Sequence, residues 1–308
     1  MATTATMAAP RVPRRGIGRA ALPYLLSLPA LIVCIGILVP FGTAVWYSLQ
    51  RYNLNLPALR SFIWFDQYLL LFQSAAFWNT VKVSLLYTFL TVGIELLLGL
   101  GIALLLRRST WFNNALSIAL LLPLMVAPAI AALMWKLMTH PDFGIFSYLI
   151  SLVGVRDFRW ASDPSTALFT VVLVDVWVYT PFIMILLLAG LRSLPRQPFE
   201  AAELDGVPAS FVFFRITLPM LMPYILTATL FRMLDSIQQF DIVYAMTQGG
   251  PGNATLVFQV QAYLDFFKNF NVGRSAAMLL VLWLIAHLLS QQFIKQWLRL
   301  RERAHGSA

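Results

Sequence analysis

The sequence predicts an all-α membrane protein whose chain crosses the bilayer as six transmembrane helices. Three observations lead there. Hydrophobic residues fill 59% of 308 positions against 11% charged, the mean hydropathy is +0.75, and the apolar residues come in long unbroken runs. The runs lie near 21–49, 82–106, 112–138, 166–190, 216–240 and 274–296, each long enough for the roughly 20 residues that one helical crossing needs. Lipid offers the backbone no hydrogen-bond partner and the runs lack the dyad alternation of a membrane barrel, so each is predicted to be helical.

The first run follows Arg11, Arg14, Arg15 and Arg19 and begins like a signal peptide. Its length exceeds the about 7–15 apolar residues of a cleaved segment, so it is expected to stay as a span. Cys34 lies inside it, preceded by Leu31-Ile32-Val33, which argues against a lipoprotein cleavage site. A single cysteine forms no intramolecular disulfide and is expected to act as a small buried hydrophobe. Pro29, Pro40, Pro123, Pro128, Pro181 and Pro223 fall within the runs. Bundled neighbours satisfy the carbonyls they free, so kinked helices are expected and not broken ones.

Orientation follows from Lys and Arg. With the N-terminus inside, Arg11, Arg14, Arg15, Arg19, Arg107, Arg108, Arg192, Arg196, Arg215, Lys295, Arg299, Arg301 and Arg303 share the cytoplasmic side, thirteen of 22 basic residues. Arg51, Arg60, Arg156, Arg159 and Lys268 remain as clearly external ones. Both termini are therefore placed in the cytoplasm, with segments 1–20 and 299–308 flanking a six-helix domain at 21–298. The longer external segments, near 50–81, 139–165 and 241–273, carry Trp64, Trp78 and Trp160, as interfaces favour. Phe62–Phe72 is too short to span and is expected to lie as a helix at the membrane surface.

Composition also excludes functions. An excess of 22 basic over 13 acidic residues would suggest nucleic acid in a soluble protein; here the basic residues gather at span ends and orient the chain. Three scattered histidines and one cysteine supply no zinc-like cluster. His287 in the last run is expected to be a packed, hydrogen-bonded residue. Gly99-x-Gly101 sits within a span, where glycine favours close helix packing over phosphate binding. No phosphate-cradling Gly-x-x-x-x-Gly-Lys-Ser/Thr occurs.

Charges within lipid are costly and default to paired or functional positions facing the bundle interior. Four occur: Glu95 in the second run, Asp175 in the fourth, and Arg232 and Asp235 in the fifth. The last two stand at i,i+3, which lets them pair on one face. A pair on a cavity wall also binds hydroxyls. The same charges would serve an intramembrane enzyme, with Glu95, Asp175 and Asp235 as acid–base groups, or the relay of an ion-driven secondary transporter. Nothing in their spacing arranges them for either.

The cytoplasmic loop at about 194–219 reads LPRQPFEAAELDGVPASF from Leu194 to Phe211 and returns through Leu218-Pro219. Pro198 can open a helix, acidic residues occupy its first turns, and Gly206 stops it. The loop is either a solvated connector or a compact element that docks into a partner's groove. Glu200-Ala201-Ala202-x-x-Asp205-Gly206, followed by Phe211, Ile216 and Leu218-Pro219, is similar to the EAA loop of binding-protein-dependent ABC importer permeases. Val207 departs from that family's usual alanine. A second stretch, Phe231-Arg232-x-Leu234-Asp235 through Phe240-Asp241-x-x-Tyr244 and Thr247 to Thr255, resembles the carbohydrate-importer branch, the subunits related to the maltose and glycerol-phosphate permeases. Its Gly249-Gly250-Pro251 element reads physically as a tight external turn. Asn253-Ala254-Thr255, a formal glycosylation acceptor, is read as accidental.

The resemblance implies a type I ABC importer permease fold in the bacterial cytoplasmic (inner) membrane. It also implies a non-catalytic subunit that carries a sugar, polyol or sugar derivative. Its partners would be a second, homologous permease, two ATP-binding subunits and an extracytoplasmic solute-binding protein. The chain would bind no cofactor, with ATP and Mg held by the partner ATPase subunits. Glu200, Ala201, Ala202, Asp205 and Gly206 would couple to the ATPase. By ungapped counting, Asp175, Val178 and Tyr179, with Trp177 and Pro181 in a Trp-x-x-x-Pro-Phe pattern, match the family's sugar-lining positions before the loop. Arg232, Asp235 and Ser236 match those after it, and Gln238 and Gln239 add amides nearby.

Overall fold

The computed structural model describes residues 17–155 and 158–305, with side chains described between Tyr24 and Leu298, Leu25 excepted. Arg11, Arg14, Arg15 and Arg156, and the side chains of Arg19, Arg299, Arg301 and Arg303, lie outside the described residues. The chain divides into two units, Met1–Trp46 and Tyr47–Ala308. The first contains most of helix α1, Ile17–Ser48, which runs through Pro29 and Pro40 without a break and leaves Cys34 exposed, not buried as expected.

In the second unit, strands β1 (Gln50–Arg51) and β2 (Ser61–Phe62) form an antiparallel pair before helix α2, Asp66–Gln73. The surface helix expected from Phe62 therefore starts four residues later, because Phe62 is taken into the strand pair and Trp64 has φ 53°. Leu71 of α2 turns inward while Leu69, Leu70 and Phe72 stay exposed, the amphipathic layout of an interfacial helix.

Helix α3, Ala75–Leu105, is followed by α4 (Trp111–Leu120), α5 (Leu122–Met125) and α6 (Pro128–Met138). These three correct the sequence reading. The expected third crossing, 112–138, is broken and not merely kinked: Trp111–Met125 meets Pro128–Met138 at 90°. Prolines lack a backbone N–H and drive the preceding residue out of the helical region. Val126 and Ala127, just before Pro128, are extended, with ψ of 134° and 131°. Five helices are each long and apolar enough to cross a membrane, and the bent pair counts as a sixth if taken as one span.

Helix α7, Ile145–Leu152, was not anticipated. Helix α8, Pro164–Ser193, is capped by Asp163, whose Oδ1 accepts hydrogen bonds from the Ser165 N–H at 2.8 Å and hydroxyl at 2.5 Å. Those two bonds hold the Asp163 carboxyl below its usual pKa. After α9 (Gln197–Leu204) and α10 (Ala209–Phe211), a π-helical turn at Val212–Thr217 leads into α11, Leu218–Ile237. Pro219 has no N–H to offer the preceding turn, and the Thr217 hydroxyl donates to the Val212 carbonyl at 3.2 Å. Helices α12 (Asp241–Thr247), α13 (Phe258–Phe267) and α14 (Val272–His305) complete the chain.

Helix α8 is the centre of the second unit. Val171, Val174 and Val178 pack with Val83 and Tyr87 of α3 and with Ile242 and Val243 of α12. Toward the other end, Ile183, Met184 and Leu187 pack with Ala103 of α3 and Leu221 and Ala228 of α11. Gly99 lets α3 approach α8 so closely that a Cβ there would sit 2.8 Å from Ile183 Cγ2; Gly101, its expected companion, faces open space. The Gly-Gly-Pro turn has the expected form, with φ of 89° at Gly249 and 57° at Gly252. Asn79 of α3 anchors it by donating to the Asn253 carbonyl at 3.1 Å.

Candidate functional site

The four charges inside the predicted spans meet. Arg232 of α11 donates from Nε to Glu95 Oε2 at 2.6 Å and from Nη2 to Glu95 Oε1 at 2.7 Å, a two-pronged pair with α3. The same Nη2 donates to Asp175 Oδ2 of α8 at 2.6 Å, and Nη1 to Asp235 Oδ2 at 2.5 Å. Arg232 is 1% exposed and Glu95 and Asp175 are 0%, whereas the Asp235 side chain is 54% exposed. Only a planar guanidinium serves three carboxylates in this way.

Helical periodicity brings them together. Thr91 and Glu95 stand at i,i+4 on α3, Asp175 and Tyr179 at i,i+4 on α8, and Arg232, Asp235 and Ser236 at i, i+3 and i+4 on α11. A buried hydroxyl contact, Thr91 Oγ1 to Ser236 Oγ at 2.9 Å, runs beside the charges. Gln239, just past α11, donates from Nε2 to Asp175 Oδ1 at 3.0 Å and accepts at Oε1 from the Phe240 N–H at 3.0 Å. The Tyr179 ring covers the guanidinium face, its centroid 4.1 Å from Cζ.

The cluster borders a cavity of about 420 Å³ lined by Tyr179, Asp235, Gln238, Gln239 and Asp241, with Phe231, Leu234 and Phe240 as its apolar part. Of the residues singled out for substrate, Tyr179, Asp235 and Gln239 line this cavity. Asp175, Arg232 and Ser236 lie buried behind it. Val178 is 1% exposed and packs in the apolar core instead. Glu95, read in the sequence as a charge in lipid and as an acid–base group of the alternative readings, turns out to be the principal partner of Arg232. Its position within a span was the available signal, and 137 residues of separation concealed the pairing.

The 194–219 loop forms a short, capped helix. Pro198 stands in the first turn of α9. At the far end Gly206 has φ 65°, the Gly206 N–H reaches the Glu203 carbonyl at 3.2 Å, and the Val207 N–H reaches the Ala202 carbonyl at 3.1 Å. This paired closure satisfies carbonyls that a helix end leaves free. Ala202 is 5% exposed, but Glu200, Ala201, Asp205 and Gly206 face outward and Leu204 is 89% exposed. Arg107, Arg108, Arg192, Arg196, Glu200 and Glu203 surround one cavity of about 620 Å³ beside it. Arg192 Nη2 donates to the Leu106 carbonyl at 3.0 Å, which puts the turn after α3 and the end of α8 on one side.

His287 on α14 stacks on Trp283 with centroids 5.4 Å apart and lies 2.9 Å from Gln291 Nε2. Among the described residues no group of three or more His, Cys, Asp or Glu side chains is disposed to hold a metal ion.

Membrane-length helices whose buried charges converge on the wall of a cavity define a multi-span membrane protein with a polar site inside its bundle. The comparisons with known proteins assign it further. A model for the family described as binding-protein-dependent transport system inner membrane component matches residues 95–299, and the chain belongs to that family. It is a permease subunit of a binding-protein-dependent ABC importer, a multi-pass inner-membrane protein without a catalytic role of its own. It is 36% identical over 255 residues to the trehalose/maltose transport system permease protein MalF of Thermococcus litoralis, covering 82% of this chain and 85% of that one. It is 32% identical over 272 residues to the sn-glycerol-3-phosphate transport system permease protein UgpA of Pectobacterium atrosepticum, covering 86% and 90%. In fold it matches a chain from the crystal structure of a bacterial ABC transporter involved in the import of the acidic polysaccharide alginate. The TM-score is 0.78 at 20% identity, over 92% of this chain and 97% of the other. The fold is that of a type I ABC importer permease.

Proposed function

We propose that this chain is the permease subunit of an ATP-driven importer of a sugar, polyol or sugar derivative, and that it forms half of the translocation pathway. The observation that carries the proposal is mechanical. Helix α9 lies in the connection between α8 and α11, the two helices that bear Asp175, Tyr179, Arg232 and Asp235. A partner that grips α9 through Glu200, Ala201, Asp205 and the exposed Leu204 moves both helices at once. Ala202 is packed inward and transmits that movement to the chain's own body. A short helix closed firmly at Gly206 moves as a rigid unit, and shifts of packed helices switch the cavity between outward and inward openings.

The carbohydrate relatives support the substrate class, as do the Tyr179 and Phe240 rings and the Gln238 and Gln239 amides, because sugars offer hydroxyl groups and apolar faces. The remaining parts of the assembly are a second, homologous permease, two ATP-binding subunits that hold ATP and Mg, and an extracytoplasmic solute-binding protein. No cofactor is assigned to this chain. We place both termini and α9 in the cytoplasm, a reading that the positive-inside rule supports through Arg107, Arg108, Arg192 and Arg196, gathered around one cavity beside α9. The test is uptake by vesicles containing the four-subunit assembly and its binding protein. Uptake should need ATP and the ATP-binding subunits; solute accumulation by this chain alone, driven by an ion gradient, would refute the proposal.

A further inference from the structure

We infer that the cavity beside Arg232 rejects anions and admits neutral, hydroxyl-rich or cationic solutes. The inference rests on the reading of this cavity as part of the solute pathway and names the solute's charge class. An arginine at a cavity wall ordinarily invites a phosphate or carboxylate. Here most of its donor capacity is already used. Four of its N–H directions are taken by Glu95, Asp175 and Asp235 at 2.5 to 2.7 Å, and its face is covered by Tyr179. An anionic solute would have to displace a carboxylate that is tethered in place.

The lining points the same way. Its charged side chains are Asp235 and Asp241, and among the described residues no lysine, arginine or histidine lines it. Three carboxylates face one guanidinium in the cluster behind. Even with one of them protonated, no positive charge is left over for the cavity. A negative lining in a partly desolvated site repels an incoming anion more strongly than water-screened surface charges would. The neutral part of the lining suits hydroxyl groups: the Gln238 amide is exposed, and the Phe240 ring is held by stacking on Tyr244, 5.0 Å apart at 14°.

The charge of the cavity is testable without knowing the solute. In the assembled importer carrying Cys34→Ser and Gln238→Cys, the thiol is reacted with cationic, neutral and anionic methanethiosulfonate reagents, each rate divided by that with a free small thiol. The anionic reagent should lag the cationic one by about tenfold or more. Adding Asp235→Asn or Asp241→Asn should raise the anionic rate, a gain that misfolding does not mimic. Equal normalised rates, a faster anionic reagent, or insensitivity to both asparagine variants overturns the inference while leaving the importer reading intact. A thiol unreactive toward all three reagents overturns the open cavity on which the inference stands. Failure of ATP-driven uptake for a panel of neutral and anionic sugars and polyols would instead sink the sugar-import reading itself.

Discussion

Glu95 and Arg232, 137 positions apart, form a fully buried two-pronged ion pair that ties α3 to α11, with oxygen–nitrogen distances of 2.6 and 2.7 Å. Arg232 is carried by α11, the helix that follows the α9 loop, and lies behind the cavity that Asp235 lines, so loss of the pair should disturb both the bundle and the cavity wall.

Replacing Glu95 with alanine leaves the guanidinium short of its main partner in a site that water does not reach. Breaking a buried pair in this manner costs about 3–5 kcal/mol. Thermal unfolding of the detergent-solubilised assembly should show a clearly lowered midpoint for Glu95→Ala. Glu95→Gln keeps an acceptor for Arg232 and should fall between it and the parent. A midpoint unchanged by Glu95→Ala would mean that the pair carries no structural load.

Gly99 is a contact point between α3 and α8. A methyl group there would lie 2.8 Å from Ile183 Cγ2, and overpacking a filled interface costs about 1–3 kcal/mol. Gly99→Ala should therefore destabilise the protein, and Ile183→Ala in the same chain should recover part of that loss by making room. Independent, additive effects of the two changes in a double-mutant cycle would contradict the close approach.

Gly206 ends α9 at φ 65°, a region that costs other residues roughly 1–2 kcal/mol. Gly206→Val should loosen the closure of the hairpin while leaving insertion in the membrane unaffected. Solute-stimulated ATP hydrolysis by the assembly should then drop, with subunit association measured in parallel. Leu204→Glu attacks the same step from the surface, since that side chain is 89% exposed with no fold to support. Full stimulation in both variants would deny α9 its coupling role.

Sidedness is open to direct labelling. In a Cys34→Ser background, a cysteine at the exposed Asp205 should react with an impermeant maleimide only after the membrane is opened, and one at Asn55 should react in intact spheroplasts. The reverse pattern would invert the topology and detach α9 from any cytoplasmic engine.

Much of this was legible in the residues. Apolar run length foretold the α3, α8, α11 and α14 helices, because in lipid a helix is the only way a lone segment satisfies its own backbone. Pro198 and Gly206 announced the ends of α9 because each acts on its own local dihedrals. The break at Val126-Ala127 was harder to foresee. Proline permits a kink or a turn, and which occurs depends on what the two halves pack against: α5 lies on α8, and α6 lies on α12 and α8.

By itself, then, the sequence determined that the chain is a bundle of membrane helices, where α9 begins and ends, and that Glu95, Asp175, Arg232 and Asp235 would need partners inside lipid. The i,i+3 spacing already offered Asp235 to Arg232, and tertiary packing alone added Glu95 and Asp175. That packing also buried Val178 in the core, and left Asp235 and Gln239 at a cavity. The physical reason is range: backbone hydrogen bonds and helix ends act across about four residues, whereas the pairing of a buried charge is settled by whichever helices the apolar contacts have already brought side by side.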